Sequence, residues 1–371
     1  MPIYMDRHDV TDEVTAEHVA QLHQADLKIQ HKFDCKGITY WFDGERNTAF
    51  CLIEAPNKQA LNDMHDHAHG AIPHSIIEVD DKIVESFLGR IEDPEIDQTS
   101  SLNIIDDSAF RVIMVTSFGR TTFRKNGAIQ LKDVLYRYTK SVKHILNRFD
   151  GRMVKQESEC LLVSFKNVSD SIKCALDIQD DFKEIIKSVE NFQLDLNIGI
   201  SAGPPVTDND ELFEDAISVA KRMCHVVKGN IVVSSEVQNL YKSENLNDSI
   251  DKNLVHSLSP SDDDFLRQLM EYTENNWQQN ELKVEDFSKN LGYSKAQLYR
   301  KMILLTGSSP NSFIKDYRLS RALTMLNKQI GNISEIAFET GFNSPAYFSK
   351  CFNETYGILP SNYIRQQISL S

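Results

Sequence analysis

The sequence lacks any run of 18 apolar residues, so it holds no candidate transmembrane helix. Its first residues, Met1-Pro2-Ile3-Tyr4-Met5-Asp6-Arg7-His8, lack the basic-then-apolar order of a secretory signal. Both absences point to a chain that stays in the cytoplasm, with no membrane partner. It also lacks a C-x-x-C pair: Cys35, Cys51, Cys160, Cys174, Cys224 and Cys351 are scattered over 371 residues. That argues against a disulfide framework and a four-cysteine zinc site, and leaves reduced, mostly buried thiols as the expectation.

Positive charge is short overall. A net charge of −14 argues against a nucleic-acid partner if only the sum is read. The distribution matters more. From Asp262 onward, 12 basic and 12 acidic residues cancel, so the first 261 residues carry the whole deficit. Between Phe287 and Ser334, eight basic residues stand against one acid, Asp316. An acidic front and a locally basic back imply separate domains, and 371 residues suffice for two or three.

Three segments emerge. Over 1–93, strand-like Ile3-Tyr4-Met5 precedes a helix from Thr15 to about Phe33. A hairpin pair (Gly37–Asp43, Thr48–Ile53), a helix (Asn57–His69) and a strand (Ser75–Val79) follow. The order β-α-β-β-α-β is the ferredoxin-like pattern. Glu92–Asp107, rich in Asp, Ser, Pro and Glu, reads as a linker. Over 108–242, strands at Arg111–Val115, Leu161–Phe165, Leu194–Ile200 and Ile231–Val233 alternate with helices at Leu131–Phe149, Val168–Ser188 and Phe213–Val227, again α/β. Ser243–Asp264, polar with Pro260 and three aspartates, reads as a second linker. Over 262–368 the expectation is all-α: a double helix-turn-helix.

The strongest signal is an internal repeat. Val284-Glu-Asp-Phe287-Ser-Lys-Asn-Leu291-Gly292-Tyr293 matches Ile333-Ser-Glu-Ile336-Ala-Phe-Glu-Thr340-Gly341-Phe342 at an offset of 49. After the turn the offset is 50: Ser294 with Ser344, Leu298 with Phe348, Arg300 with Lys350, Met302 with Phe352, and Gly307–Pro310 with Gly357–Pro360. Chance rarely produces a repeat with a one-residue slip at the turn. Each copy reads as helix, tight turn, helix. Gly292 and Gly341 stand where the reversal needs a positive φ. Ser294 with Gln297 makes a capping box, and Ser344 caps the counterpart helix with Pro345 at its first position. Leu298, Met302 and Leu305 give the second helix a buried face. The opposite face shows Ser294, Lys295, Gln297, Arg300 and Lys301, matched in the second unit by Asn343, Ser344, Tyr347 and Lys350. Such faces suit a major groove, with base edges read near the helix N-terminus and cations on phosphates. The helix between the units carries Lys315, Arg318 and Arg321, and would space two reading helices by about one DNA turn, roughly 34 Å.

Over Phe265–Arg365 the chain closely resembles the AraC/XylS-type regulators. The likeness rests on Ile333-Ser-Glu-Ile336-Ala337, Gly341-Phe342, Tyr347-Phe348-Ser-Lys350-Cys-Phe352 and Gly357-Ile-Leu-Pro360-Ser-Asn-Tyr363. It implies two units bound in successive major grooves of double-stranded DNA, with N-terminal parts that sense a signal or dimerise.

Met64–His74 holds four of the 11 histidines. His65 and His69, four apart, share a helical face and suit one metal ion, while His67 points elsewhere. Asp6 and His8 end the first strand, central in a ferredoxin-like sheet. Exposed histidines at a helix end are also common without metal. The segment resembles a family of small ferredoxin-like proteins described as nickel-binding, over about Pro2–Val79. Met5-Asp-Arg-His8, Tyr40-Trp41-Phe42, Ala49–Pro56 and His65–Gly70 carry that likeness. It implies Ni²⁺ or another transition metal, with His8, His65 and His69 as first ligands and His74 and Asp6 next.

The middle segment resembles the catalytic domain of class III nucleotide cyclases, through Phe149-Asp-Gly151, Lys155–Phe165, Leu196–Gly203, Asp215–Arg222 and Gly229–Ser234. Those enzymes place two carboxylates on two metal ions. Here Ser117 stands where the first aspartate belongs, Glu159 takes the second position, Ser218 replaces the ribose-orienting asparagine, and Arg222 matches the transition-state arginine. A hydroxyl does not supply a carboxylate's charge to a dication. The resemblance therefore implies a degenerate fold without catalysis, kept for nucleotide binding or for homodimerisation. The function expected is a DNA-binding regulator answering a metal or small-molecule signal; the alternative is an active adenylate or guanylate cyclase with a DNA-binding tail.

Overall fold

The computed structural model describes residues 1–94, 102–119, 127–157, 160–190, 192, 194–227, 231–245, 250–251 and 253–368. The first elements are β1 (Ile3–Asp9), α1 (Ala16–Ile29), β2 (Lys36–Asp43), β3 (Thr48–Glu54), α2 (Lys58–Ala68), β4 (Ser75–Val79) and α3 (Asp81–Leu88). Thr15 caps α1 through the His18 N–H, and Asn57 caps α2 through the Ala60 N–H. The strands form an antiparallel sheet of order β2-β3-β1-β4, in the β-α-β-β-α-β sequence expected. Its core joins Tyr4, Tyr40, Cys51 and Ile53 of the strands to Val19, Ala20, Leu61 and Met64 of the helices. Asp6 pairs with Cys51 across the β1–β3 ladder. Side chains alternate along a strand, so Asp6, His8 and Cys51 share one face.

Sequence patterning missed α3. Asp80 caps it and Gly89, at φ +87°, ends it. Arg111, 1% exposed, donates to the carbonyls of Phe87 and Leu88, two of the last in that helix. The linker expected at Glu92–Asp107 needs correcting over its described part. The Tyr40 hydroxyl donates to Asn103 O and accepts the Ile105 N–H, each at 2.8 Å, and Phe42 N–H donates to Asp107 O at 3.1 Å. Ile105 is 3% exposed, so this polar-looking stretch is anchored by one apolar side chain and one phenol.

The middle elements are β5 (Arg111–Phe118), α4 (Gly127–Arg148), β6 (Arg152–Gln156), β7 (Cys160–Phe165), α5 (Val168–Lys187), β8 (Leu196–Gly203), α6 (Glu214–Val226), β9 (Ile231–Val233), α7 (Ser235–Glu244) and β10 (His256–Ser257). They supply a six-stranded sheet of order β10-β9-β8-β5-β7-β6. β6, read from sequence as no element, pairs antiparallel with β7; its mixed polar residues hid it.

The rest is helical: α8 (Pro260–Asn276), α9 (Val284–Asn290), α10 (Lys295–Thr306), α11 (Pro310–Asn327), α12 (Ile333–Glu339), α13 (Pro345–Tyr356) and α14 (Pro360–Ile368). The second expected linker also shortens. α8 starts at Pro260, capped by Ser259 in a capping box with Asp262. The three aspartates there are a helix N-terminus, where negative charge meets the positive end of the dipole. By contacts the chain divides into two compact units: Met1–Val115, Leu146–Ile172 and Ile200–Ala220 form one, and Thr116–Ile145, Lys173–Gly199 and Lys221–Ser371 the other. Among the described residues no helix is long and apolar enough to cross a membrane.

The core under the second helical repeat joins Leu319, Ala322, Ile336, Phe342, Phe348 and Phe352. Phe348 is fully buried, whereas Phe338, also in that repeat, is 57% exposed. Phe348→Ala should cost roughly 3–5 kcal/mol in urea unfolding, and Phe338→Ala no more than about 0.5 kcal/mol. Similar losses for both would show that this core is misassigned.

Candidate metal centre and nucleic-acid interface

α9 and α10 meet at a turn in which Gly292 sits at φ +71°, and α12 and α13 at one with Gly341 at φ +77°. α10 is pinned by buried Leu298, Met302 and Leu305, and α13 by Phe348, Cys351, Phe352 and Tyr356. Ser294 Oγ accepts the Gln297 N–H at 3.3 Å, while Gln297 Oε1 accepts the Ser294 N–H at 3.0 Å. That box steadies the first turn of α10. It also engages one lone pair of the Gln297 oxygen and leaves its NH₂ end available to a base. Ser344 Oγ accepts the Tyr347 N–H at 3.3 Å, and Gly307 and Gly357 close the two helices in left-handed conformations.

Ser294, Lys295, Gln297, Arg300, Asn343, Tyr347 and Lys350 are exposed, and Ser344 half-buried. The Lys295 ammonium meets Glu285 of α9, and Lys350 Nζ lies 3.9 Å from Glu354 Oε1. Lys301 is placed otherwise than expected. Its Nζ lies 3.2 Å from Asp262 Oδ1 and 5.0 Å from the centre of the Phe265 ring. It ties α10 to the start of α8 instead of facing outward. Arg318 likewise turns inward and donates to the carbonyls of Trp277 and Gln279, past the end of α8. Arg321 stays exposed over the Tyr317 ring. Tyr299, 51% exposed on α10, is a surface residue that sequence reasoning missed. Its spacing of four from Lys295 was the available signal, but an aromatic residue reads first as core.

In the N-terminal sheet, a polar layer occupies the space between strands and helices. Asp6 is wholly buried, and His65 is 1% exposed. His65 Nε2 lies 2.9 Å from Asp6 Oδ2, and its Nδ1 lies 3.2 Å from Asp26 Oδ1 and 3.3 Å from His69 Nε2. His69 Nε2 is also 3.2 Å from Asp26 Oδ1. His8 Nε2 lies 3.4 Å from Asp6 Oδ1, yet this buried nitrogen makes no hydrogen bond among the described residues. Donor atoms of Asp6, His8 and Cys51 fall within 4.8 Å of one another, as do those of Asp26, His65 and His69. With bonds of about 2.0–2.3 Å to a transition metal, donors around one ion sit at comparable separations. Both sets therefore fit such an ion by donor type and spacing.

The fold brings together Asp6, His8, His65 and His69 of the expected ligands. It does not bring in His74, whose Nδ1 accepts the Asp9 N–H at 3.1 Å. It adds Cys51 and Asp26, which the sequence showed only as a lone thiol and a polar residue inside a helix.

Burial opposes ionisation of Asp6, but the neighbouring His8 and His65 outweigh it and hold the carboxyl well below its usual range. Burial also opposes the charged form of His65, but the hydrogen bonds to Asp26 and Asp6 prevail and push its pKa up to about 10. Burial drives the Cys51 thiol well above its ordinary value. Without metal the layer is thus a carboxylate–imidazolium–carboxylate array beside a neutral thiol.

Of the cyclase-derived residues, Glu159 lies outside the described residues. Ser117 is 4% exposed, and its Oγ has no hydrogen-bond partner among the described residues. Arg222 is half-buried, with Glu271 and Asp263 of α8 among the charges acting on it; burial is the larger influence and lowers its pKa. Asp263 in turn accepts from the Ser235 hydroxyl at 3.0 Å.

Residues 4–79 match the family described as "Nickel responsive protein SCO4226-like", and residues 287–366 match the family described as "Helix-turn-helix domain". The chain is 37% identical over 107 residues to histidine kinase P4 of Formosa agariphila, spanning 29% of this chain and 8% of that protein. It is 33% identical over 94 residues to the HTH-type transcriptional activator RhaS of Mannheimia succiniciproducens, spanning 25% and 35%. The matched stretch thus covers well under half of either relative. Among solved structures it is similar to SCO4226 from Streptomyces coelicolor A3(2), at 31% identity over 21% of this chain and 94% of that one, with a TM-score of 0.20. It is also similar to the C-terminal domain of AraT, a response regulator from Geobacillus stearothermophilus, at 28% identity over 29% and 87%, with a TM-score of 0.27.

The raised His65 pKa sets a sign. A group charged more readily in the folded state adds stability in full below its unfolded pKa, about 6.5, and loses it as pH rises through the folded value of about 10. The depressed Asp6 acts oppositely, adding stability above its unfolded pKa of about 3.9 and losing it as pH falls. Trp41 is fully buried in this sheet, and replacing Trp277 by Phe leaves it as the sole tryptophan. In metal-free Trp277→Phe protein, the urea midpoint read by Trp41 emission should fall between pH 6.5 and pH 10. With His65→Gln added, that fall should flatten. The same fall in both proteins would remove His65 from the account.

Proposed function

We propose that this chain, which carries an SCO4226-like domain at one end and an AraC-type helix-turn-helix domain at the other, is a DNA-binding transcription regulator that answers a transition metal. Residues 262–368 read double-stranded DNA, 1–93 sense the metal, and 108–242 form a cyclase-like module that pairs two copies or holds a nucleotide without turning it over. The observation that carries the reading is the repeated, capped helix whose inner face is buried and whose outer face is not. Base edges are addressed by Ser294, Gln297, Asn343, Ser344 and Tyr347, and phosphates by Lys295, Arg300 and Lys350.

The signal end is supported by the cost of its polar layer. Buried ionisable side chains are retained where they are paired or hold a metal. The residues present fit an ion such as Ni²⁺ through imidazole, carboxylate and thiolate donors. A bound dication would supply fixed positive charge in a space where Asp6 and Asp26 now rely on imidazolium. The ring of His23 on α1 lies 5.0 Å from that of Tyr40, whose hydroxyl holds the Asn103–Ile105 segment. A change in the polar layer therefore has a packed route to the segment that leads into the middle module. A serine at position 117 argues against the cyclase alternative, because it brings no negative charge to a metal.

Two measurements test this. A duplex enriched from random sequence should bind full-length protein with a steep salt dependence. Arg300→Ala should weaken binding and lower the salt slope by about 1; an unchanged affinity and slope would take α10 out of the interface. Added Ni²⁺ should shift the affinity for that duplex by roughly 5–150-fold, as coupling energies of ordinary size allow, and His65→Gln with His69→Gln should abolish the shift. An equal shift in that double variant would refute the N-terminal sensor.

A further inference from the structure

Seven residues fill the polar layer of the N-terminal sheet, more donors than one ion uses. The strand face offers Asp6, His8 and Cys51; the helices offer Asp26, His65 and His69, with His23 beside them. The two sets meet at Asp6. Its Oδ1 faces His8 Nε2 at 3.4 Å and accepts the Cys51 N–H at 3.0 Å, while its Oδ2 faces His65 Nε2 at 2.9 Å. His65 uses its other nitrogen, Nδ1, toward Asp26 and His69. A histidine that ligates through one nitrogen and donates to a carboxylate through the other is the usual way a metal-bound imidazole is oriented.

We propose that the layer forms two adjoining sites for borderline-soft transition-metal dications. The first is thiolate-bearing and consists of Asp6, His8 and Cys51. The second consists of Asp26, His65 and His69. Asp6 ligates in the first through Oδ1 and orients His65 in the second through Oδ2, so the two sites are linked. This rests on the metal reading above and deepens it, since Cys51 and Asp26 become ligands and the stoichiometry becomes two.

The sites are unequal. In the first, His8 Nε2 is without a hydrogen bond among the described residues and faces the Asp6 carboxyl at 3.4 Å, so an ion there displaces only the contacts that His8 and the Cys51 thiol make with Asp6, itself a ligand. Binding displaces the Cys51 thiol proton to solvent and leaves a thiolate–metal bond. In the second, His69 Nδ1 accepts the Ala71 N–H at 3.1 Å, which places the imidazole proton on Nε2. Ligation through Nε2 moves that proton to Nδ1 and breaks the Ala71 bond. The doubly hydrogen-bonded His65 must also release its Nδ1 proton. The second site therefore fills after the first, and its filling frees the Ala71 amide.

Cobalt(II) tests this, because a thiolate ligand gives it a near-ultraviolet charge-transfer band that nitrogen and oxygen ligands do not. Full-length, reduced, metal-free protein is titrated with Co²⁺ and assayed for bound metal. Two ions per chain are expected, with the thiolate band complete at the first. Ala71 amide exchange should rise only with the second. Cys51→Ser should lose the band and keep one ion. His69→Gln should keep the band and bind one ion. One ion per chain in the parent, or a band that survives Cys51→Ser, overturns the proposal, and neither parent measurement depends on a variant that folds. Loss of all metal from both single variants, with Trp41 emission unchanged, would mean one shared site and also overturns it. No Co²⁺ and no Ni²⁺ bound by the parent would overturn the metal reading itself.

Discussion

Asp6 has no contact with water, and a buried carboxylate needs positive charge or donors close by. His65 supplies both, and Asp26 holds His65 from its other side. Helices α1 and α2 must then sit where they can deliver Asp26 and His65 to the strand that carries Asp6. Leu61 and Met64, on the helix that carries His65, belong with Tyr40 to the apolar core of the same sheet. Replacing the Asp6–His65–Asp26 array by hydrocarbon would often be no worse for stability. Its presence is therefore not accounted for by folding stability alone.

The far end of the chain follows a different constraint. There the buried stripes are mainly apolar, with Thr273 and Thr340 buried among them, and most polar groups are spent on helix ends. Ser294 and Ser344 begin the two outward helices, and Gly307 and Gly357 end them. Each outward helix is thus fixed in direction before any ligand arrives, leaving its exposed side chains as the variable part. Lys301 and Arg318 show that cations in such a module also act as struts. Each satisfies groups near an end of α8, Lys301 at its start and Arg318 beyond its last turn.

How legible each part was depends on how far apart its determinants lie. The double repeat was readable because caps, turn glycines and apolar spacing all act within a few residues. The buried polar layer was half readable. His65 and His69 share a helix turn, and Asp6 and His8 share a strand face, so each pair shows a periodicity. Cys51 and Asp26 belong to the same layer only through strand pairing and helix packing, which leave no local mark. His74, placed after His8, His65 and His69 among the expected ligands, accepts a hydrogen bond from the backbone of β1 instead. The supposed linker at Glu92–Asp107 hid the burial of Ile105 beneath a polar composition, and β6 hid behind its charged residues.

The order of most elements, the caps and turns of the helical repeat and the character of its faces were written in the chain, because each arises from neighbours no more than a turn or a strand away. Which donors converge, which cations face solvent and which stretches are truly free were settled by folding. Those depend on contacts such as Asp6 with His65, 59 residues apart, and Lys301 with Ser261, 40 residues apart. Charge neutralisation and burial are properties of a place in space, and a place exists only once distant segments have packed.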